Sequence, residues 1–237
     1  MRRSNLDIAH TERGRFMYFY LYNQDGTFRD LEDFADLDHL GEQGYSPQLY
    51  VNLTNACDND CTFCLRNNPS AEGSELWLER EADADELCAL LDTYDLAPIG
   101  ELVFCGFGEP TMRLDTLLAV AHHVRATYPG IMVRVNTDGL ANARLGHDVT
   151  PELAREVDRV SVSLNTADSD RYLELTRSKM GSSAHAEMLD FARAAKRAGI
   201  AVTMSVVDVI GADDVAACAE LCKREGLDFR VRVYSAD

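Results

Sequence analysis

Three cysteines crowded between positions 57 and 64 are the part of this sequence best suited to chemistry. Cys57, Cys61 and Cys64 lie in the segment TNACDNDCTFCLRN with CxxxCxxC spacing. Three thiolates on one loop can hold three irons of a four-iron cubane, which leaves the fourth iron open to another ligand. Zinc also binds thiolates, so a zinc site completed by a distant fourth ligand is the alternative.

The second chemical signal is the segment CGFGEP, in which Gly106 and Gly108 precede Glu109 and Pro110. Glycine has no side chain and therefore lets the backbone approach a bound ligand closely. The Glu109 carboxylate is able to accept a charge-assisted hydrogen bond from an ammonium group. Taken alone, the segment is also typical of an ordinary Gly-Pro turn, so its meaning depends on its position in the fold.

From Gln48 onward, short β-rich runs alternate with amphipathic segments of helical period, which is the α/β pattern. Six strands are predicted, at 49–54, 101–106, 131–136, 160–165, 200–207 and 229–234. Helices are predicted at 83–95, 115–128, 151–157, 184–198 and 212–226, with Gly199 as a left-handed helix stop. Six right-handed units curl without closing, so we predict a partial (βα)6 TIM-like barrel with its site at the carboxyl ends of the strands.

Composition and charge limit the domain organisation and the partners. The 237 residues are 46% hydrophobic, enough for one large domain, predicted at 47–237 after an N-terminal hairpin or cap at 1–46. The formal net charge of −17 disfavours long nucleic acids and anionic membranes as partners. The apolar run FMYFYLY is too short to cross a bilayer. Crowded cysteines suit a reducing compartment, so we expect a cytoplasmic protein.

Together, the two motifs resemble the radical S-adenosylmethionine (SAM) superfamily, whose members carry CxxxCxxC after the first strand and GGEP after the second. The resemblance covers about residues 50–234 and follows strand order, with VNTDG, SVSLN and SVVDVIG at the third, fourth and fifth strands. It implies the partial (βα)6 barrel. It also implies a [4Fe-4S] cluster on Cys57, Cys61 and Cys64, whose open iron binds SAM.

The same resemblance implies which side chains contact SAM. Phe63 lies near the adenine, and Val209 and Ile210 flank it. The polar parts of SAM are expected to meet Gly106, Gly108, Glu109, Asn136, Ser163 and Asn165. For the substrate, polar side chains at strand ends or just past the cysteines are the candidates: Asn52, Arg66, Asp208, Arg232 and Tyr234.

Members of this family take one electron from a reduced flavodoxin or ferredoxin, cleave SAM, and abstract a hydrogen atom from their substrate. The segments YVNLTNACDNDCTFCLRN, LWLERE, VFCGFGEPTMRLD and SVVDVIG resemble a narrower group, the TatD-linked radical SAM proteins. That likeness implies a small-molecule substrate and a lyase reaction, specifically queuine lyase in queuosine precursor salvage. An acidic protein suits a small cationic amine better than a tRNA.

Three other functions stay open at the level of sequence. A compact chain of this kind can be an activating or modifying enzyme that acts on a peptide or protein partner. An iron-sulfur electron carrier and a zinc-binding interaction module use the same cysteines, but neither needs the glycine segment. Cys88, Cys218 and Cys222 are predicted to be core thiols, and no role is assigned to Cys105.

Overall fold

The computed structural model of the protein describes residues 17–22, 28–30, 47–67 and 76–233. In these residues, eight strands form one sheet in the order β2-β1-β3-β4-β5-β6-β7-β8. The strands are β1 (Phe19–Tyr22), β2 (Phe28–Asp30), β3 (Gln48–Val51), β4 (Glu101–Phe104), β5 (Met132–Thr137), β6 (Arg159–Ser163), β7 (Ala201–Val207) and β8 (Asp228–Arg232). Strands β3 to β8 are parallel, whereas β1 pairs antiparallel with β2 and β3. The six predicted strands are confirmed, each within three residues of its predicted bounds.

Helices connect the parallel strands. The described residues contain α1 (Ala84–Leu91), α2 (Leu114–Thr127), α3 (Ala141–Leu145), α4 (Thr150–Glu156), α5 (Ser169–Thr176), α6 (Ala184–Arg197) and α7 (Ala212–Glu225). The five predicted helices are confirmed, although α1 is shorter than predicted. Helices α3 and α5 were not predicted, because segments of five and eight residues are too short for a 3.6-residue period to stand out.

The two faces of the parallel sheet differ in polarity. In β5, Val133 and Val135 are buried whereas the alternate residues Arg134 and Asn136 are partly exposed, and β6 alternates in the same way. The buried face packs against the helices in one large hydrophobic core. The other face lines a cavity of about 160 Å³ whose walls come from all six parallel strands: Gln48, Glu101, Arg134, Arg159, Val160, Ser161, Thr203 and Arg230. Since β3 and β8 line the same space, the sheet curves around it, and we call this space the lumen.

The predicted helix stop at Gly199 is confirmed by its backbone, which has φ +92°. Side chains with a Cβ are strained in this region, but asparagine tolerates it better than alanine. We expect Gly199→Ala to lower the free energy of unfolding by about 1 kcal/mol and Gly199→Asn to lower it less, measured by urea denaturation. An equal loss in both variants would show that φ is not the cause.

In the residues that the structure describes, no helix is long and apolar enough to cross a bilayer. The division into an N-terminal extension at 1–46 and a core at 47–237 stays a prediction, because most of the extension lies outside the described residues.

Candidate active site

The cysteine loop, residues 52–64, follows β3 and is fastened to the end of α5. The amide of Asp60 donates to the carbonyl of Thr176 at 2.8 Å, and the amide of Thr62 donates to Leu175 at 2.9 Å. The last carbonyls of a helix have no partner within the helix, so the loop satisfies them. Helix α5 begins at Asp168, whose carboxylate accepts from the Arg171 amide; this capping residue is the signal that sequence analysis missed.

The glycine segment lies against the backbone of the cysteine loop. The Gly108 amide donates to the Thr54 carbonyl at 3.0 Å, and the Glu109 amide donates to the Ala56 carbonyl at 2.8 Å. A Cβ on Gly108 would lie 2.3 Å from the Thr54 oxygen and 2.5 Å from the Ala56 oxygen. Gly108 therefore permits the close approach that brings the two motifs together.

Asn52 stands at the start of the cysteine loop and is fully buried. Its amide nitrogen donates to the Leu76 carbonyl at 2.6 Å, while its Oδ1 has no hydrogen-bond partner in the described residues. A Cβ on Gly106 would lie 2.0 Å from that oxygen. Asn52 thus packs under the glycine segment, and its predicted contact with the substrate stays a prediction.

Glu109 links the glycine segment to the end of β5. Its side chain is buried, and Oε1 accepts hydrogen bonds from the hydroxyls of Thr111 at 2.6 Å and Thr137 at 2.9 Å. Its Oε2 accepts from the amide of Asp138 at 2.7 Å. These bonds give Glu109 a positioning role between two strands, and its predicted contact with the ammonium of SAM stays a prediction.

Asp138, in the VNTDG segment, is a functional candidate that sequence analysis missed. Its Oδ1 accepts from the amide of Leu140 at 2.9 Å, but its buried Oδ2 has no partner in the described residues. Burial, and then the neighbouring Glu109 carboxylate, raise the pKa of Asp138 well above its usual value. The negative charge of Asp138 also raises the pKa of Cys57 and of Cys61, so this carboxylate acts electrostatically on the predicted metal ligands.

The surroundings of the cysteines fit a cationic iron centre. Burial, followed by the negative charge of Asp138, raises the pKa of Cys57 to about 12. Burial, followed by Cys64, raises the pKa of Cys61 to about 12. Thiols in such a site become thiolates only when a cation compensates their charge. Cys57, Cys61 and Cys64 are all free and partly buried, so the donor set suits an iron-sulfur cluster.

The three thiols do not converge as the ligands of a single ion do. In the described part of the chain, no group of three His, Cys, Asp or Glu side chains is placed to hold one metal ion. A cubane is bound through separate irons, so its thiolates need not meet at one point.

Two basic side chains brace the backbone of the cysteine loop. Arg66 donates to the carbonyls of Asn55 at 3.1 Å and Asn59 at 3.2 Å. Lys179, just after α5, donates to the carbonyl of Cys57 at 2.9 Å. Arg66 was predicted to contact the substrate; in the structure it holds the loop, and a further contact with the substrate stays a prediction.

Arg144 on α3 connects the cysteine loop to the glycine segment and was also missed. Its guanidinium forms a buried ion pair with Asp58 and donates to the Thr111 hydroxyl at 2.7 Å. Thr111 in turn donates to Glu109. These contacts join the cysteine loop, the turn after the glycine segment and α3. No sequence motif marks Arg144.

Replacement of Arg144 tests this connection. We expect Arg144→Met to destabilise the protein by about 3 kcal/mol, because it leaves the Asp58 carboxylate buried without its partner. The iron bound after anaerobic reconstitution should fall as well. The matched control is Arg171→Met, whose ion pair with Glu174 is exposed and which should change stability by less than about 0.5 kcal/mol. Equal effects in the two variants would contradict a special role for Arg144.

The other predicted SAM contacts follow the carboxyl ends of β5, β6 and β7. Asn136 accepts from Arg134 at 2.8 Å, Ser163 ends β6, and Asn165 is buried with φ +60°. Ile210 is buried, whereas Val209 is 44% exposed; Phe63, in the cysteine loop, is half-buried against the main core. All of these residues lie at the predicted end of the barrel, but their contacts with SAM stay predictions.

The remaining substrate candidates are placed as follows. Asp208 lies in a single 3-10 turn directly after β7, and Arg232 is the last residue of β8. Tyr234 lies outside the described residues. Cys218 and Cys222 on α7 are buried in the core as predicted, and Cys88 packs against it.

Comparison with known proteins identifies related sequences. Residues 51–224 match the family model described as the radical SAM superfamily. The GTP 3′,8-cyclase of Corynebacterium glutamicum strain R is 32% identical over 189 residues, which are 77% of this chain and 47% of that protein. The GTP 3′,8-cyclase of Rhodococcus opacus strain B4 is 29% identical over 201 residues, which are 82% of this chain and 54% of that protein. This chain spans about half the length of the curated relatives it matches.

Solved structures share the fold. SuiB of Streptococcus suis bound to S-adenosylmethionine has a TM-score of 0.62 at 18% identity, covering 84% of this chain and 44% of SuiB. A radical SAM methyltransferase from Sphaerobacter thermophilus has a TM-score of 0.59 at 19% identity, covering 90% of this chain and 64% of that protein. These similarities concern the fold alone, and they confirm the predicted α/β partial barrel.

Proposed function

Because this chain belongs to the radical SAM superfamily, we propose that it cleaves SAM reductively and abstracts a hydrogen atom from a small molecule. Cys57, Cys61 and Cys64 hold the [4Fe-4S] cluster in this proposal. The cluster, when bound, supplies the electron that cleaves SAM.

The observation that carries the proposal is the contact between the cysteine loop and the glycine segment. Gly108 brings its backbone against the Thr54 and Ala56 carbonyls. The Asp138 carboxylate, whose Oδ2 has no partner in the described residues, acts electrostatically on the Cys57 thiol. An electron carrier or a zinc module needs cysteines but needs neither a glycine cradle nor a buried free carboxylate. A positively charged ligand bound next to the cluster needs both features, because the glycines leave room for it and the carboxylate compensates its charge.

The chain's own residues position SAM and exclude water. The ligand's ammonium lies at the acidic pair formed by Glu109, the contact predicted from the sequence, and Asp138, whose Oδ2 accepts a hydrogen bond from it in this proposal. Gly106 and Gly108 leave room for the ligand against the backbone. Asn136, Ser163 and Asn165 orient its polar groups, and Glu109 holds Asp138 in place. The apolar side chains of Phe63, Val209 and Ile210 flank the adenine.

Physiologically, we propose that the electron comes from a reduced flavodoxin or ferredoxin and that the protein works in the cytoplasm. Free, partly buried cysteines persist in a reducing compartment. Such small redox proteins bind transiently, so no large permanent interface is required of this chain.

Anaerobic reconstitution with iron and sulfide tests the proposal. We expect a brown protein with about four irons per chain that forms 5′-deoxyadenosine from SAM when dithionite supplies electrons. A colourless protein that retains zinc would contradict the proposal, and so would a brown protein that leaves SAM intact.

Two substrates are candidates within this function. Queuine follows from the resemblance of four segments to the TatD-linked proteins, with a lyase reaction that splits it in two. GTP follows from the relatives, which are GTP 3′,8-cyclases.

Product analysis of parallel reactions with queuine, GTP and a peptide extract distinguishes these candidates. The substrate is the compound that is consumed in proportion to the 5′-deoxyadenosine formed. Unchanged queuine during SAM cleavage would exclude the lyase.

A further inference from the structure

The lumen is basic although the protein as a whole is acidic. Arg134, Arg159 and Arg230 line its cavity, which is also lined by the first residues of β3, β4 and β6. Arg232 lies two residues beyond Arg230, at the carboxyl end of β8, so both lie on the same face of the strand. The acidic residue that lines the cavity is Glu101. This local excess of positive charge contrasts with the formal net charge of −17.

The charge of Arg134 is already compensated. Its guanidinium lies 3.1 Å from the Glu101 carboxylate, and it donates to Asn136 at 2.8 Å and to Gln48 at 3.3 Å. Glu101 also accepts from Gln48 at 2.8 Å. These four side chains form a network on one wall of the lumen, in which Arg134 and Gln48 both contact the same oxygen, Oε2, of Glu101.

Among the described residues, no acidic side chain compensates the charge of Arg232. Its Nε is buried without a hydrogen-bond partner, and the described residues give its guanidinium no ion pair. Cys105 and Tyr50, from the opposite side of the lumen, favour the charged form of its guanidinium. Arg230 and Arg134 repel that charge. Burial, and then these two arginines, lower the pKa of Arg232. A buried guanidinium without a counter-charge is unfavourable, and proteins normally pair such groups.

The position of Arg232 relates it to the reaction. Arg232 pairs with Val207 in the sheet, and Val207 directly precedes the turn that carries Val209 and Ile210. Cys105, across the lumen, directly precedes Gly106 of the glycine segment. Arg232 therefore lies at the carboxyl ends of the strands, level with the proposed SAM site and facing the space between the strands.

We propose that the lumen binds a small substrate that carries an oxyanion, either a phosphate or a carboxylate, and that Arg232 is the side chain that anchors it. The planar guanidinium forms two parallel hydrogen bonds with such a group, and Arg230 adds charge beside it. This inference rests on the proposed function, since it names the substrate class of that site. It disfavours cationic queuine and favours an anionic metabolite.

Calorimetric titration of the reconstituted protein tests the proposal, with inorganic pyrophosphate in one arm and citrate in the other, both at constant ionic strength and with SAM present. We expect the wild-type protein to bind one of the two anions, and the arm that responds distinguishes a phosphate from a carboxylate. Arg232→Gln should weaken this binding at least about tenfold. Arg232→Lys, which keeps the charge but not the planar fork, should weaken it less.

Two controls separate anchoring from a structural role. Arg171→Gln on the exposed surface of α5 should bind the anion like wild type. The melting temperature of Arg232→Gln should equal or exceed that of wild type without anion, because the variant removes an unpaired buried charge; a structural role predicts a fall. Failure of both anions to bind, or equal binding by Arg232→Gln, would overturn the proposal.

The same wild-type sample is assayed for 5′-deoxyadenosine, which keeps the two proposals distinct. SAM cleavage without anion binding refutes the substrate class while the proposed function stands. Anion binding without SAM cleavage refutes the proposed function instead.

Discussion

Replacement of any one of Cys57, Cys61 and Cys64 by alanine is expected to lower the bound iron from about four atoms per chain to below about one. Formation of 5′-deoxyadenosine should fall to background in each variant. The physical reason is that each thiolate of a three-cysteine site holds a different iron, so two thiolates do not retain the cubane. Iron analysis and absorbance after anaerobic reconstitution measure the first effect, and product chromatography measures the second.

Cys88→Ser is the matched control for this series. Cys88 is a half-buried thiol on α1 that packs against the core, so the variant removes one of the seven cysteines without touching the cysteine loop. It should bind iron and cleave SAM like wild type. Full iron content in Cys61→Ala, or loss of iron in Cys88→Ser, would place the cluster elsewhere.

Gly108→Ala should cost about 3 kcal/mol of stability and prevent reconstitution of the cluster. The added Cβ would lie 2.3 Å from the Thr54 carbonyl oxygen and 2.5 Å from that of Ala56. Both atoms belong to the backbone, so no side-chain rotation relieves the overlap, and the two segments must separate. Urea denaturation and iron content measure the two effects.

Gly130→Ala controls for the loss of a glycine as such. Its Cβ would meet no atom within 4 Å, so its stability should lie within about 0.5 kcal/mol of wild type. The loss of stability in Gly106→Ala should fall between those of Gly130→Ala and Gly108→Ala. The Cβ added at position 106 meets the side chain of Asn52 rather than the backbone. A cluster-loaded Gly108→Ala protein of normal stability would contradict the close packing of the two motifs.

The parallel sheet was predictable from sequence because local signals determine it. Each of β3 to β8 contains β-rich residues bounded by turn residues, and alternation such as that of Val133 and Val135 with Arg134 reports which face is buried. The collinear order of the cysteine loop and the glycine segment also predicted that the two motifs lie together after β3 and β4, where the structure has them in contact.

The supports of the site were not predictable in the same way. Arg144 reaches Asp58, and Lys179 reaches Cys57, across distances in sequence that no local motif spans. Arg232 was a candidate because it ends a strand, but its lack of a counter-charge among the described residues depends on which side chains the sheet brings around it. Net charge favoured a cationic substrate at the level of sequence, whereas the proposal of an anionic one rests on the local distribution of arginines, which net charge does not report.

The attachment of the cysteine loop to α5 has a consequence for how the metalloprotein matures. Asp60 and Thr62 are held by carbonyls of Thr176 and Leu175, so the loop acquires its shape only after most of the chain has been synthesised and folded. Until then the middle of the loop lacks these two hydrogen bonds. We therefore expect a proposed cluster on this loop to be inserted late, into a largely folded apoprotein.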